Sequence, residues 1–182
     1  MRRQSYVEKH ARTLASLAAA ITMLLVAGCT SGKPAPDFTL LTYQGQAALG
    51  GGQTATFSSL LHKKPIVLNF WAGQCPPCRA EMPDFEAASQ KYKDQVLILG
   101  VDVGPFTGLG SREDGRNLLK ELNITYPAGT TEDSTVPTKY GVLGMPTTVL
   151  IKPDGIIIRT SLGHMTAAQI EAAIQELLKA SS

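Results

Sequence analysis

Cys75-Pro76-Pro77-Cys78 holds two reactive side chains at a spacing that implies a reaction. Two intervening residues let one turn of helix bring the sulfurs within bonding range. The apolar run Ile66-Val67-Leu68-Asn69-Phe70-Trp71 precedes the pair, so a buried strand would deliver it to the start of a helix. A helix start offers unpaired N–H groups and partial positive charge, and both stabilise a thiolate. Such sites lower a cysteine pKa to ~3.5–7.5, and the thiolate is the nucleophile of disulfide exchange. Cys75, nearer the helix end, is expected to be exposed and to attack. Cys78, one turn in and partly covered, is expected to resolve the mixed disulfide.

Other uses of a cysteine pair need partners that this chain does not place nearby. Structural zinc takes about four N or S ligands, and beyond the pair there are only Cys29, His10, His62 and His164, widely separated in sequence. A copper-binding assembly factor would want C-x-x-x-C and a nearby histidine, and the spacing here is one residue short. No metal and no cofactor are expected, other than the Cys75–Cys78 disulfide itself.

The elements that must hold the pair follow from the hydrophobic pattern. A short strand is expected at Phe38 to Leu41, followed by a Gly- and Gln-rich loop from Gln44 to Gln53, and Ala55 to Leu61 then leads into the core. The helix from Cys75 to about Tyr92 carries Met82, Phe85 and Tyr92 on one side, and Pro83 would kink it. Val96 to Val103 reads as a second buried strand, Gly104 to Gly110 as a loop, and Arg112 to Leu122 as a helix stopped by Asn123. A short strand is predicted near Ile124 to Tyr126. Thr147 to Ile151, Pro153-Asp154-Gly155 and Ile156 to Ile158 form a β-hairpin signal. Thr166 with Gln169 is a capping-box pattern opening a last helix with Ile170, Ile174, Leu177 and Leu178 on one stripe. A proline just before the hairpin, in Gly144-Met145-Pro146-Thr147-Thr148, reads either as an ordinary trans proline or as a cis one packed on the redox pair. Sequence physics leaves both open.

The first 28 residues read as an export signal. A basic stretch precedes an apolar one, Leu14 to Gly28, that is short for a membrane span and suits a signal peptide. Arg2-Arg3 lacks the context of a twin-arginine signal. Val26-Ala27-Gly28-Cys29 resembles the lipobox of bacterial lipoproteins, which implies cleavage before Cys29 and lipid attachment to its thiol. Of 17 basic and 15 acidic side chains, four basic and one acidic lie in that segment, leaving 13 and 14. The remainder is near neutral, with no basic field for nucleic acid. The organisation is then a lipoprotein signal peptide over 1–28, a Pro-rich tether over 29–36 and a domain over 37–182, held by its core rather than by disulfide staples.

Strands alternating with helices and closing on a hairpin give the α/β class: a mixed central sheet flanked by helices, in the layout of the thioredoxin fold. Six motifs strengthen this: Ala35-Pro36-Asp37-Phe38, Asn69-Phe70-Trp71-Ala72, Cys75-Pro76-Pro77-Cys78-Arg79, Glu81 with Pro83, Gly144-Met145-Pro146-Thr147, and Asp154-Gly155. On these residues the chain resembles the TlpA/ResA/DsbE-like thiol–disulfide oxidoreductase family over essentially all of the mature sequence. The resemblance implies a central αβ insertion, an N-terminal β extension and a cis bond before Pro146 that leaves the Met145 backbone free for a substrate strand. It implies that Glu81 sits near the site, either as proton acceptor for the pair or as a first-turn acid favoured by the helix dipole. Trp71 is placed beside the disulfide or in the core.

The leading expectation is a monomeric, membrane-anchored reductant of exported proteins' disulfides, including apocytochrome c in cytochrome c maturation, recharged by a membrane electron donor, because Pro76 and Pro77 remove two N–H donors from the Cys75 thiolate and so disfavour the reduced form. The alternative within the fold is an oxidant that introduces disulfides into secreted proteins. A thiol peroxidase shares the Ala-Pro-Asp-Phe start but would need a lone cysteine preceded by Pro and Thr, a context residues 66–75 lack. Gln74 departs from the family, which usually has Trp before the first cysteine. An exposed aromatic would add apolar docking area that Gln cannot supply.

Overall fold

The computed structural model describes residues 32–182. The signal peptide and Cys29 lie outside the described residues. An eight-stranded mixed sheet forms the centre, in the order β1-β8-β7-β4-β5-β6-β2-β3. The strands are β1 (Lys33–Pro34), β2 (Thr39–Gln44), β3 (Thr54–Thr56), β4 (Ile66–Trp71), β5 (Leu97–Asp102), β6 (Ala128–Thr130), β7 (Thr147–Ile151) and β8 (Ile156–Leu162). The helices are α1 (Pro76–Tyr92), α2 (Gly104–Thr107), α3 (Arg112–Glu121), α4 (Val136–Lys139) and α5 (Ala167–Ala180), with 3-10 turns at Gln46–Leu49 and Phe57–Leu60. Among the described residues no helix is long and apolar enough to cross a membrane.

Strand β4 explains the layering. It is buried at every position, with parallel β5 on one side and antiparallel β7 on the other. Its side chains alternate between two cores, as the period of two demands. Val67 and Trp71 face the core made with Met82 and Phe85 of α1, Leu118 and Leu119 of α3, and Ile170, Ile174 and Leu177 of α5. Ile66, Leu68 and Phe70 face the other, with Phe38, Phe57 and Tyr140. The long helices thus cover one face, and the N-terminal extension with α4 covers the second. Phe38 stacks on Phe57 with ring centres 5.1 Å apart, and Tyr140 meets both edge-on. The Pro36 carbonyl accepts from the Tyr140 hydroxyl (2.6 Å), and the Asp37 carboxylate accepts from the Ser58 N–H (2.8 Å). The Ala35-Pro36-Asp37-Phe38 motif is therefore a clasp that fastens the extension.

Three expectations need correction. Lys33–Pro34 pairs with Ile156 and Ile157, and the Ala35 N–H donates to the Gly155 carbonyl, so residues 33–35, expected within the 29–36 tether, belong to the sheet edge. Proline is tolerated there because an edge strand needs no second ladder. The strand predicted near Ile124 to Tyr126 lies instead at Ala128–Thr130: Ile124 and Tyr126 are buried in irregular chain, and Gly129 lets β2 approach, since a Cβ there would collide with the Leu41 carbonyl. The loop predicted over Gly104 to Gly110 begins with the short helix α2. Helix α1 keeps its expected span to Tyr92 with Pro83 inside it, since the fixed φ of proline suits a helix even though its ring removes one donor.

Candidate active site

Strand β4 ends at Trp71, and four residues later Cys75 caps helix α1. Its sulfur accepts from the Cys78 N–H at 3.3 Å. Pro76 and Pro77 fill the first two helical positions, where a missing N–H costs the helix nothing. Cys75 and Cys78 are joined in a disulfide, their Cα atoms 5.3 Å apart. The expected exposure of Cys75 is corrected: it is 3% exposed and Cys78 is 0%. As a helix cap tied to Cys78, the Cys75 sulfur turns back over the first turn rather than outward. What little access the pair has is still through Cys75.

The loop before the pair is anchored from the αβ insertion. The Gln74 N–H donates to the Leu109 carbonyl (2.8 Å), and the Val103 N–H to the Trp71 carbonyl (2.9 Å). Gly73 leaves room for the backbone of Asp114 and Gly115, which a Cβ would meet at 2.6 Å. Arg79 is exposed and forks onto both carboxylate oxygens of Glu121 on α3, so its charge is paired there. Strand β7 begins opposite Phe70, which brings Pro146 to the same end of the sheet as the pair. The Met145–Pro146 bond is cis. Met145 is half-buried against both cores.

Glu81 is 0% exposed, one turn beyond Cys78. One oxygen accepts from the Asn69 side-chain amide of β4 (2.9 Å), the other from the Met165 N–H just before α5 (2.9 Å). Burial pushes its carboxyl up to about 7, against the pull of those two donors. The first-turn reading fails, because α1 has no acid in its first turn. Trp71 is fully buried in the core that contains both cysteines. Two polar residues had no role assigned from the sequence. Asn69 holds Glu81. Asp102, at the end of β5, is 0% exposed and accepts from the Gly104 N–H (2.9 Å) and the Tyr43 hydroxyl (3.1 Å), with burial raising it to about 6. The signal for both was present as a polar residue inside an apolar run, in Val-Leu-Asn-Phe and Gly-Val-Asp-Val.

The large apolar side chains left exposed among the described residues, Leu109, Leu143 and Leu162, all belong to segments bordering the pair. Leu109 lends its carbonyl to Gln74, Leu143 lies two residues before Met145, and Leu162 is the ladder partner of Thr147. Among the described residues no three of His, Cys, Asp or Glu gather as a metal would need.

Comparison with known proteins agrees with this geometry. The family model described as AhpC/TSA family matches residues 31–160. The chain is 31% identical over 145 residues to the thioredoxin-like protein YneN of Bacillus subtilis, covering 79% of this chain and 78% of that one. It is 31% identical over 142 residues to the thiol-disulfide oxidoreductase ResA of the same organism, covering 78% and 72%. A crystal structure described as a thiol:disulfide interchange protein DsbE from Chlorobium tepidum matches with a TM-score of 0.66 at 27% identity, over 81% of this chain and 96% of that one. The exposed lipoprotein thioredoxin of Streptococcus pneumoniae matches with a TM-score of 0.64 at 27% identity, over 78% and 99%.

Proposed function

The chain belongs to the AhpC/TSA family and, within it, to the ResA/DsbE-like thiol–disulfide oxidoreductases of thioredoxin fold, and from that premise we propose that it is an exported, lipid-anchored reductant of other proteins' disulfides. The observation that carries the direction is the donor set around Cys75. Of the N–H groups in the first turn of α1, two are missing at Pro76 and Pro77, and the Cys78 N–H alone meets the sulfur. Arg79 is committed to Glu121, and a buried carboxyl, Glu81, lies one turn further along. A thiolate so sparsely stabilised makes the reduced form less stable, and a protein with a less stable reduced form is the better reductant.

In this reading the Cys75 thiolate attacks one sulfur of a substrate disulfide and the other leaves as a thiolate. Cys78 then loses its proton, with Glu81 as acceptor, and attacks Cys75. The second substrate thiolate is released and the Cys75–Cys78 disulfide remains. Two electrons pass to the substrate, and a membrane electron donor returns them. The substrate is an exported protein whose apolar segment meets Leu109, Leu143 and Leu162 and whose backbone lies along Met145 beside Pro146. Apocytochrome c, during cytochrome c maturation, fits as such a substrate. The protein acts as a monomer, with no cofactor beyond its disulfide, held at the membrane by lipid on Cys29. Val26-Ala27-Gly28-Cys29 and the similarity to a lipoprotein thioredoxin support the anchor.

Equilibration with a glutathione redox series tests the direction. The expected potential lies nearer thioredoxin, about −270 mV, than the oxidant DsbA, about −120 mV. A value above roughly −180 mV, with fast oxidation of a reduced unfolded protein, would overturn the reductant reading in favour of an oxidant.

A further inference from the structure

Asp102 is a buried carboxylate that the exchange chemistry does not use, and its contacts lead to the redox loop. It ends β5 directly opposite Trp71 in the ladder. One oxygen accepts from the Gly104 N–H, which fixes the turn leaving the strand. Gly104 in turn packs on the carbonyls of Gly110 and Leu109, where a Cβ would come within 2.9 and 3.2 Å. The Leu109 carbonyl is the acceptor for the Gln74 N–H, and Gln74 precedes Cys75. The second oxygen accepts from Tyr43 on β2, whose ring lies 4.7 Å beneath the Arg116 guanidinium of α3. Gly115 of α3 sits against the same carboxylate, and a Cβ there would collide with it. Three separate segments, β2, the loop 103–110 and α3, are thus gathered on one side chain.

We propose that Asp102 is a positioning residue for disulfide exchange: it fixes the 103–110 loop that holds Gln74, and so keeps the Cys75 sulfur on the Cys78 N–H without touching either cysteine. The proposal rests on the oxidoreductase reading above. Other polar and charged groups facing Asp102 are Thr130 of β6, whose hydroxyl donates to its backbone carbonyl, and Arg112 and Asp114 of α3. Without the carboxylate, the Gly104 N–H loses its acceptor in a buried place and the loop relaxes. The Cys75 thiolate then loses its single backbone donor, and its pKa rises.

The readout is the pH profile of Cys75 alkylation in the reduced full-length protein, followed at Cys75 by peptide mass spectrometry. Asp102→Ala is expected to move the midpoint up by about one unit, so that the rate at pH 7 falls about tenfold. Asp102→Asn keeps an acceptor for Gly104 but not for Tyr43, and is expected to lose about threefold. Leu177→Ala in α5, a destabilising change distant in sequence from the loop, is expected to leave the profile in place. A profile for Asp102→Ala that superimposes on the wild type overturns the proposal, as does an equal shift in Leu177→Ala. If Asp102→Ala yields no folded protein, Asp102→Asn decides, and an unshifted profile there is equally fatal. Reduction of insulin disulfides is measured on the same wild-type sample. Its absence would count against the oxidoreductase reading while leaving the alkylation profile to judge Asp102.

Discussion

At the scale of single residues, the two cysteines are made unequal by position. Cys75 caps the helix and retains the only access, while Cys78 is sealed within the core. Cys78→Ser should therefore trap a mixed disulfide to Cys75 that survives non-reducing electrophoresis, and Cys75→Ser should abolish exchange. Trapping through Cys78 in the converse variant would reverse the roles. Glu81 and Asp102 carry a second consequence. Both are raised by burial, from 4.5 to about 7 and from 3.8 to about 6. The folded protein then holds protons that the unfolded chain has already released, so stability falls as pH rises from about 4 to about 7 and levels off above. For Glu81 the loss is on the order of 3 kcal/mol. Urea melts of the oxidised protein across this range should show the decline, and Glu81→Gln should flatten its upper part. A stability that climbs over the same interval would contradict the burial of these carboxyls in uncharged form.

At the scale of elements, the insertion and the extension are what differ most from a bare strand–helix–strand frame, and both act on the site. Strand β2 joins the sheet through β6, and the close approach at Gly129 permits it. Gly129→Ala should force β2 away from β6, at a cost of about 1–3 kcal/mol typical of overpacking. Because Tyr43 rides on β2, the same change should loosen the Asp102 contacts. The measurement is a urea melt, paired with hydrogen exchange of the β2 amides. Unchanged protection of Leu40 and Leu41 would show that the approach is less tight than the backbone implies.

At the scale of the whole molecule, Leu109, Leu143 and Leu162 stand exposed in the segments that adjoin Gln74, Met145 and Thr147, while ion pairs such as Arg159–Glu176 and Lys91–Glu171 lie on helix and strand flanks. A lipid on Cys29 would set where the protein is held while leaving the Cys75–Cys78 pair chemically intact. On the anchor proposal, Cys29→Ala should move the protein from the membrane to the soluble exported fraction while disulfide exchange by the purified protein stays within about twofold of wild type, consistent with the small effect of a change that leaves the Cys75–Cys78 pair intact. Wild-type protein lacking lipid by mass spectrometry would end the anchor proposal.

The sequence alone determined the elements with strong periodicity and the motif with fixed spacing. Ile66–Trp71 is buried on both faces, the hairpin over 147–162 turns at Asp154-Gly155, Thr166 and Gln169 cap the last helix reciprocally, and Cys75 and Cys78 sit at a helix start. Each of these is local, decided by side-chain period or by a cap within a few residues of itself. Tertiary structure decided the rest. The strand at Ala128–Thr130 has no apolar pattern of its own and exists because β5 and β2 pair with it. Lys33 and Pro34 read as part of a 29–36 tether until β8 offered an edge. The burial of Glu81 depends on Asn69 and Met165, 12 and 84 residues away, and that of Asp102 on Tyr43, 59 residues away. Their raised pKa values come from desolvation by elements that the chain assembles only on folding, and no local spacing encodes that.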